Sequence, residues 1–373
     1  MQEHGGVGVT PFFNQSSEFN LTNGSSSTVC DQVDTSAHIF FLLVYTVVFL
    51  VGLLLNGFTL KVYFCRAQQQ VSSSVTIYLK NLSAADFLIS LCLPLRITNY
   101  ASSSVFIRRV YCNFGASAFY LNMYASILFM CYIAANRYLK IIHPLGTHVL
   151  QTVRAAHIIS TVTWVFLVAT MSTYITLSLL TQEPLSSVPE AVSCDLLHSR
   201  QVSLFYKLVH ICSAAIFLFV LVSLVFFYYS TSRRLALAQQ RQPASSGSKK
   251  LAKSRRNMLV LVSVFCVCFV PYHLVRLPYA FMSRWCSWSQ VFFYLKELTV
   301  MVSVLNVCLD PLIYFIFCKA FRAQLSPRRL FSITQTQTQA ANAEGRSSDG
   351  LTSTIRNYRK TSLTASTKQI GML

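Results

Sequence analysis

The chain has 373 residues, of which 53% are hydrophobic and only 12% charged, and its formal net charge is +19. A soluble globular chain carries roughly twice that charged fraction, so the composition excludes an ordinary soluble domain. The apolar residues fall in blocks of about twenty or more, the length a helix needs to cross a bilayer core, so the basic excess bears on membrane sidedness rather than on nucleic acid.

Residues 1–37 form a polar leader with neither a basic n-region nor a short apolar core, so the first span is expected to act as its own insertion signal. The leader holds three sequons, at Asn14, Asn20 and Asn23, and reads as a glycosylated extracellular tail. Seven apolar segments come after it: His38–Cys65, Val75–Tyr100, Arg109–Ile142, Val153–Leu180, Leu204–Arg233, Leu251–Ser283 and Gln290–Phe317. Arg137, Lys140 and Arg154 mark the second connection, and Arg233, Arg234, Arg241, Lys249, Lys250, Lys253, Arg255 and Arg256 the third. Lys319, Arg322, Arg328 and Arg329 lie beyond the last span. Basic loops stay in the cytoplasm, which puts the N-terminus outside, in agreement with the sequons.

The third cytoplasmic loop contains Gln242–Ser248, rich in Ser, Gly and Pro, and reads as mobile. In residues 318–331, Ala320, Phe321 and Leu325 oppose Lys319, Arg322 and Arg328, the pattern of a helix lying on the membrane surface. Residues 332–373 are basic, Ser/Thr-rich and poor in aromatics, a disordered tail and a kinase substrate. The expectation is an all-α membrane protein, a seven-transmembrane helix bundle over 38–317 with a short amphipathic eighth helix.

Ionisable groups inside spans are costly and point to function. Asp86 lies in the middle of the second span and Asp310 in the seventh, with Asn56, Ser126 and Asn306 able to complete a polar cluster. That cluster is either a water-filled network joining helices or a sodium site of oxygen ligands. Arg137 is either a positive-inside anchor or part of a switch. The apolar run from Met258 to Val270 bends at Pro271, which has no N–H to give. Past the bend, His273 and Arg276 share a helix face, where they either snorkel or hold a ligand. Arg96, Arg108, Arg109 and Lys296 gather near the same end of the bundle. Lys296 and Glu297 are candidates to neutralise one another, although adjacent helical residues do not share a face. The surplus is positive and suits an anionic small molecule or lipid. Tyr120 and Tyr124, one turn apart, either stack on a planar ligand group or pack in the core. Of twelve cysteines, Cys30, Cys112, Cys194 and Cys286 fall in extracellular segments, enough for two disulfides. No catalytic constellation or metal-ligand spacing is visible, so no enzyme activity is expected.

Gly52-Leu53-Leu54-Leu55-Asn56, Leu82-Ser83-Ala84-Ala85-Asp86, Asn136-Arg137-Tyr138, Trp164, Phe269-Val270-Pro271 and Asp310-Pro311-Leu312-Ile313-Tyr314 succeed one another across the seven spans. In that order they resemble the rhodopsin-like (class A) G-protein-coupled receptors, from Phe40 to Leu325. The resemblance implies a Cys112–Cys194 disulfide, a sodium pocket at Asp86, Ser126, Asn306 and Asp310, and no other accessory group. It also implies a plasma-membrane receptor whose activation involves Arg137, Tyr138, Tyr228, Pro271 and Tyr314. Its partners are then a heterotrimeric G protein of the Gi class, with arrestin and receptor kinases acting on the tail.

Within that family, Phe119-Tyr120-Leu121-Asn122-Met123-Tyr124, Pro271-Tyr272-His273-Leu274-Val275-Arg276 and Tyr294-Leu295-Lys296-Glu297 are similar to the purinergic branch responding to ADP or UDP-sugars, and to its orphan relatives. The similarity implies phosphate binding by His273, Arg276 and Lys296, a base near Tyr120, and a Cys30–Cys286 disulfide. Tyr124, Arg96 and Arg108 complete the candidate ligand set. His210 and Lys207 are the nearest candidates from the fifth span. Asn136 stands where the family has Asp: either the inactive state is held less strongly, or Asn136 hydrogen-bonds Arg137 and little changes. Two neighbouring families compete. The lysophosphatidylserine receptor shares the sixth-span His and Arg pattern. The hydroxycarboxylic-acid receptors resemble Asn136 to Trp164, but their third-span Arg is absent near Met123. From other classes, a transporter predicts an internal repeat, which the chain lacks. A non-signalling scavenger is opposed by Arg137-Tyr138 and the basic third loop.

Overall fold

A computed structural model describes residues 38–65, 73–102, 104–143, 148–182, 194, 199–241, 246–282 and 289–317. With no water in a bilayer core, each backbone N–H and C=O must be satisfied within its own segment, and runs this apolar become helices. In chain order these are α1 (His38–Cys65), α2 (Ser74–Ala101), α3 (Val105–Val110), α4 (Ala116–Ile142), α5 (Val153–Leu180), α6 (Arg200–Arg241), α7 (Ser246–Met282), α8 (Ser289–Val304) and α9 (Asn306–Phe317). A five-residue π turn, Tyr111–Gly115, joins α3 to α4 into one span, and α8 with α9 forms another, so seven spans result. The third span is the most buried and the fourth the least, so α4 is the central post and α5 a peripheral one.

Side-chain caps begin several helices, Ser199 Oγ accepting from the Val202 N–H at 3.2 Å at the start of α6. Ser73 Oγ accepts from the Thr76 N–H at 3.3 Å, and Thr152 Oγ1 from the Ala155 N–H at 3.2 Å. Ser74 Oγ then donates to the Gln151 carbonyl, which fastens the turn before α5 to the start of α2. Deeper, Trp164 Nε1 donates to Asn81 Oδ1 at 2.9 Å and joins α5 to α2.

The seventh span is broken at Leu305, and Pro311 leaves the Val307 carbonyl without its usual donor four residues on. Asn56 of α1 supplies the missing bond. Its Nδ2 donates to the Val307 carbonyl at 2.9 Å and to the Gly52 carbonyl at 3.0 Å. The helices approach closely here, since a Cβ on Gly52 would come 2.5 Å from Val307 Cγ1 and 2.9 Å from Ser90 Oγ. Asn56 is thus spent on α9's backbone rather than on the Asp86 cluster.

The fifth and sixth spans run further than their apolar cores. α6 continues to Arg241 and α7 starts at Ser246, because Leu235-Ala236-Leu237-Ala238-Gln239-Gln240 consists of strong helix formers. Ser246–Ser248, expected in a mobile loop, are the first turn of α7. The third span begins at Val105 rather than Arg109. The sequons at Asn14, Asn20 and Asn23, Cys30, Cys286, the amphipathic segment 318–331 and the tail 332–373 lie outside the described residues.

Asn56→Ala leaves the Val307 carbonyl buried and unpaired, which costs about 1–3 kcal/mol. Thermal unfolding of the detergent-solubilised protein is expected to shift to lower temperature, and an unchanged midpoint would show that the tie contributes nothing.

Candidate functional site

At one end of the bundle Cys112 and Cys194 are joined by a disulfide, with a Cα–Cα distance of 5.5 Å. The π turn around Cys112 adds a residue to the helix and re-aims the side chains of α4 after it. Gly115 is needed there, because a Cβ on it would meet the Tyr111 ring at 2.6 Å. Beneath the disulfide lies a cavity of about 810 Å³, lined from each of α1 to α8.

The cavity brings together Arg96, Arg108, Tyr120, Tyr124, Arg276 and Lys296 from the sequence-derived ligand set. Among the described residues one carboxylate, Glu297, faces these four basic groups. An Arg96 guanidinium N–H donates to Glu297 Oε2 at 2.6 Å, with both side chains buried. Tyr100 donates its hydroxyl to the same oxygen. Lys296 Nζ reaches Glu297 Oε1 at 3.0 Å, so the two do pair although adjacent helical residues do not share a face. Lysine's four methylenes let the ammonium fold back onto the next residue's head group. Arg96 also lies over the Tyr45 ring at 4.7 Å.

Arg276 is held in a second group. Its Nε donates to His210 Nε2 at 3.3 Å, and its guanidinium lies 5.4 Å from the Tyr206 ring and 5.2 Å from the Tyr279 ring. His210 Nδ1 donates to the Tyr206 carbonyl at 2.9 Å, which leaves Nε2 as the acceptor for Arg276 and, at 3.2 Å, the Tyr120 hydroxyl. His210 therefore positions Arg276. The sequence signal for it was a lone imidazole in an apolar span. Lys207, its companion candidate, does not line the cavity.

His273 does not line the cavity either. Its Nδ1 donates to the Phe269 carbonyl at 2.8 Å, and its Nε2 accepts from the Tyr124 hydroxyl at 3.1 Å. Its ring stacks on Phe217 with centroids 3.8 Å apart. Tyr124 and Phe217 thus stand around an imidazole that sequence placed beside the ligand. The i, i+3 spacing puts His273 and Arg276 on one face but separates them by a turn in depth. Tyr206, Tyr111 and Glu297 are cavity residues that the sequence reading did not single out as ligand contacts.

Midway down the bundle, Asp86 Oδ2 accepts from the Tyr314 hydroxyl at 2.6 Å, and Oδ1 from Ser126 Oγ at 3.4 Å. The carboxyl of Asp310 lies beside that of Asp86. Neither Asp310 oxygen nor Asn306 Nδ2 meets a hydrogen-bond partner among the described residues, although all are buried. Two adjacent carboxylates require a proton or a cation between them. The donors here are hard oxygens, which fits a cation of the sodium kind. Tyr314, expected among residues that rearrange at the cytoplasmic face, is tied into this cluster instead and packs edge-on against Tyr63.

At the far end of α4, the Arg137 guanidinium lies 4.9 Å from the Phe317 ring, and Tyr138 packs on Phe227 with centroids 4.9 Å apart. Tyr228 is half-buried in α6. Asn136 is buried, and neither polar atom of its amide has a hydrogen-bond partner among the described residues. The alternative in which Asn136 hydrogen-bonds Arg137 is therefore not what the structure adopts.

Residues 56–314 match the family model of the seven-transmembrane receptors of the rhodopsin family. The chain is similar to purinoceptor 14 of Bos taurus, at 35% identity over 76% of this chain and 83% of that protein. It is 32% identical to G-protein coupled receptor 87 of Mus musculus, over 85% of this chain and 86% of that protein. It is likewise 32% identical to purinoceptor 13 of Homo sapiens, over 75% of this chain and 78% of that protein.

Arg96→Ala strands the Glu297 carboxylate with a weaker partner, and breaking a buried pair from one side costs about 3–5 kcal/mol. The double variant Arg96→Ala with Glu297→Gln is expected to recover part of that loss. A thermal-unfolding double-mutant cycle measures it, and additive effects would mean that the two side chains are not coupled.

Proposed function

The chain belongs to the rhodopsin family of seven-transmembrane receptors, and from that premise we propose that it senses an extracellular phosphate-bearing anion and signals through a heterotrimeric G protein of the Gi class. It is a multi-pass plasma-membrane receptor and not an enzyme. The disulfide end, with the N-terminal tail 1–37, faces outside, and Arg137 faces the cytoplasm. The amphipathic segment 318–331 lies on the inner membrane surface, and the tail 332–373 is the substrate of receptor kinases and the docking point of arrestin.

The observation that carries this reading is the charge of the cavity, where among the described residues one carboxylate faces Arg96, Arg108, Arg276 and Lys296. Out of bulk water such an excess is costly to leave unmatched, and guanidinium groups match phosphate oxygens two at a time. Arg276, which His210 positions, and Arg108 at the disulfide end of the cavity are the anchors of this reading. Two sources of the phosphate are compatible with these residues. The relatives named purinoceptors support a nucleotide or nucleotide sugar, with the base near Tyr120. The apolar part of the cavity, at Leu128, Phe166, Leu167 and Ile216, supports a lysophospholipid.

Signalling follows from differential affinity for two arrangements of one bundle. Arg276 lies on α7 past Pro271, where the helix is free to bend. A ligand that draws Arg276 inward pulls on the outer half of α7, and Tyr124 and Phe217 transmit the shift through His273. Asp86, Ser126, Asn306 and Asp310 are the residues for a sodium ion, whose charge would offset the facing carboxyls. Arg137 has no carboxylate at 136 to hold it, so the resting state is only weakly latched.

Cells expressing the receptor should show Gi-dependent suppression of cyclic AMP with a member of a nucleotide or lysophospholipid panel. Arg276→Ala is expected to weaken that agonist about thirtyfold, the ratio for roughly 2 kcal/mol lost from a buried charge contact, and Lys296→Ala less. A response untouched by both substitutions would overturn the anionic-site reading. Asn136→Asp is expected to lower ligand-free signalling, and an unchanged basal level would sink the weak-latch idea.

A further inference from the structure

The chain places no carboxylate where one could hold Arg137. No Asp or Glu stands between Asp34 and Asp86, between Asp86 and Glu183, or between Asp195 and Glu297. The connections on the Arg137 side of the bundle therefore contain none. Beyond Asp310 the next carboxylate is Glu344, far along the tail. Lys140, Arg233, Arg234, Lys253, Arg255 and Arg256 occupy that side instead. An ion pair within the bundle is thus closed to Arg137 by composition alone.

The charge meets a ring. The Arg137 guanidinium lies 4.9 Å from the ring centroid of Phe317, the last residue of α9. The negative face of an aromatic ring attracts a cation, and more strongly as water is excluded. Both partners are sheltered. Arg137 and Phe317 are half-buried, and Phe317 packs against the apolar core. Arg137 Nε is buried without a hydrogen-bond partner among the described residues. The ring is itself held in place. Tyr314 and Phe317 are three residues apart and share a face of α9. Tyr314 donates to Asp86 at 2.6 Å and packs edge-on against Tyr63. One turn of α9 thus meets the buried carboxylates and the next meets Arg137.

A guanidinium lying on Phe317 is not available to a partner protein, so the contact opposes coupling. We infer that Phe317 is the latch of the resting receptor, a cation–π contact that restrains Arg137 where the chain has no carboxylate to do so. Tyr314 links the latch to Asp86 and Asp310, because a shift of α9 that frees Tyr314 from Asp86 also withdraws the ring from Arg137. The inference rests on the signalling reading above and adds the group that holds Arg137.

The test uses the full-length receptor in lipid nanodiscs with purified Gi and no agonist. Phe317→Leu keeps apolar volume but removes the ring, and is expected to raise nucleotide exchange on Gi about threefold or more, the ratio that loss of one such contact gives. Phe317→Trp, a stronger cation binder, should leave exchange at or below the starting level. A trifluorinated phenylalanine at 317 keeps the ring's shape and drains its face of negative charge. Exchange should then rise toward the Phe317→Leu level, and this near-isosteric replacement serves if the Leu variant fails to fold. Exchange that stays flat across the series, or a fluorinated ring that behaves as Phe does, would overturn the latch. Tyr314→Phe, which loses the bond to Asp86, should raise exchange in the starting receptor and add nothing to Phe317→Leu. Additive effects there would keep the latch and overturn its link to Asp86. A second measurement needs no signalling. In thermal unfolding without Gi, the fluorinated ring should lower the midpoint in the starting receptor and leave it unchanged in Arg137→Met. Equal shifts in both backgrounds would overturn the contact. A receptor that never drives exchange overturns the Gi reading alone, and the unfolding comparison then decides the latch.

Discussion

The buried carboxylate of Glu297 organises the ligand end of this receptor. A charge out of water is tolerated only when paired and hydrogen-bonded, and Glu297 meets Arg96, Lys296 and the Tyr100 hydroxyl together. That group binds α2 to α8 across the mouth of the bundle. It also divides the basic residues into two kinds. Arg96 and Lys296 meet Glu297, and Arg276 meets His210 and the Tyr206 and Tyr279 rings.

The same rule operates at two further levels. Asn56 closes the gap that Pro311 opens in the backbone of the seventh span, so a broken helix is held to α1 by a side-chain amide. Asp86 and Asp310 stand side by side with Tyr314 and Ser126 around them, and leave oxygens turned toward a cation-sized need. Each of these polar contacts joins helices that are distant in the chain. The rule is not met at Asn136, whose buried amide has no hydrogen-bond partner among the described residues. The bundle is thus tied by carboxylates at the disulfide end and at its middle.

Seven spans, their order and their polar interruptions were legible in the chain, because the lengths of apolar runs and the cost of charge in hydrocarbon are local properties. The extra turns of α6 and α7 were not, since hydropathy ends where the bilayer does while helix propensity continues. Membership of the ligand cavity was legible for Tyr120, Arg276 and Lys296, whose motifs carry position along a span. It failed for His273, because depth within a bundle depends on the side chains that pack in front of a residue, here Tyr124 and Phe217.

By itself, the sequence determined the fold class, the family and the positive character of one end, since each depends on composition and on residues near one another in the chain. Only the tertiary structure decided which basic groups are already neutralised. Glu297 meets Arg96 across 201 positions, a pairing that no spacing announces. Only the tertiary structure, too, set His210 beneath Arg276 and sank His273 behind Tyr124 and Phe217. Those outcomes depend on how helices lean against one another, and helix packing is governed by the shapes of surfaces that no single segment contains.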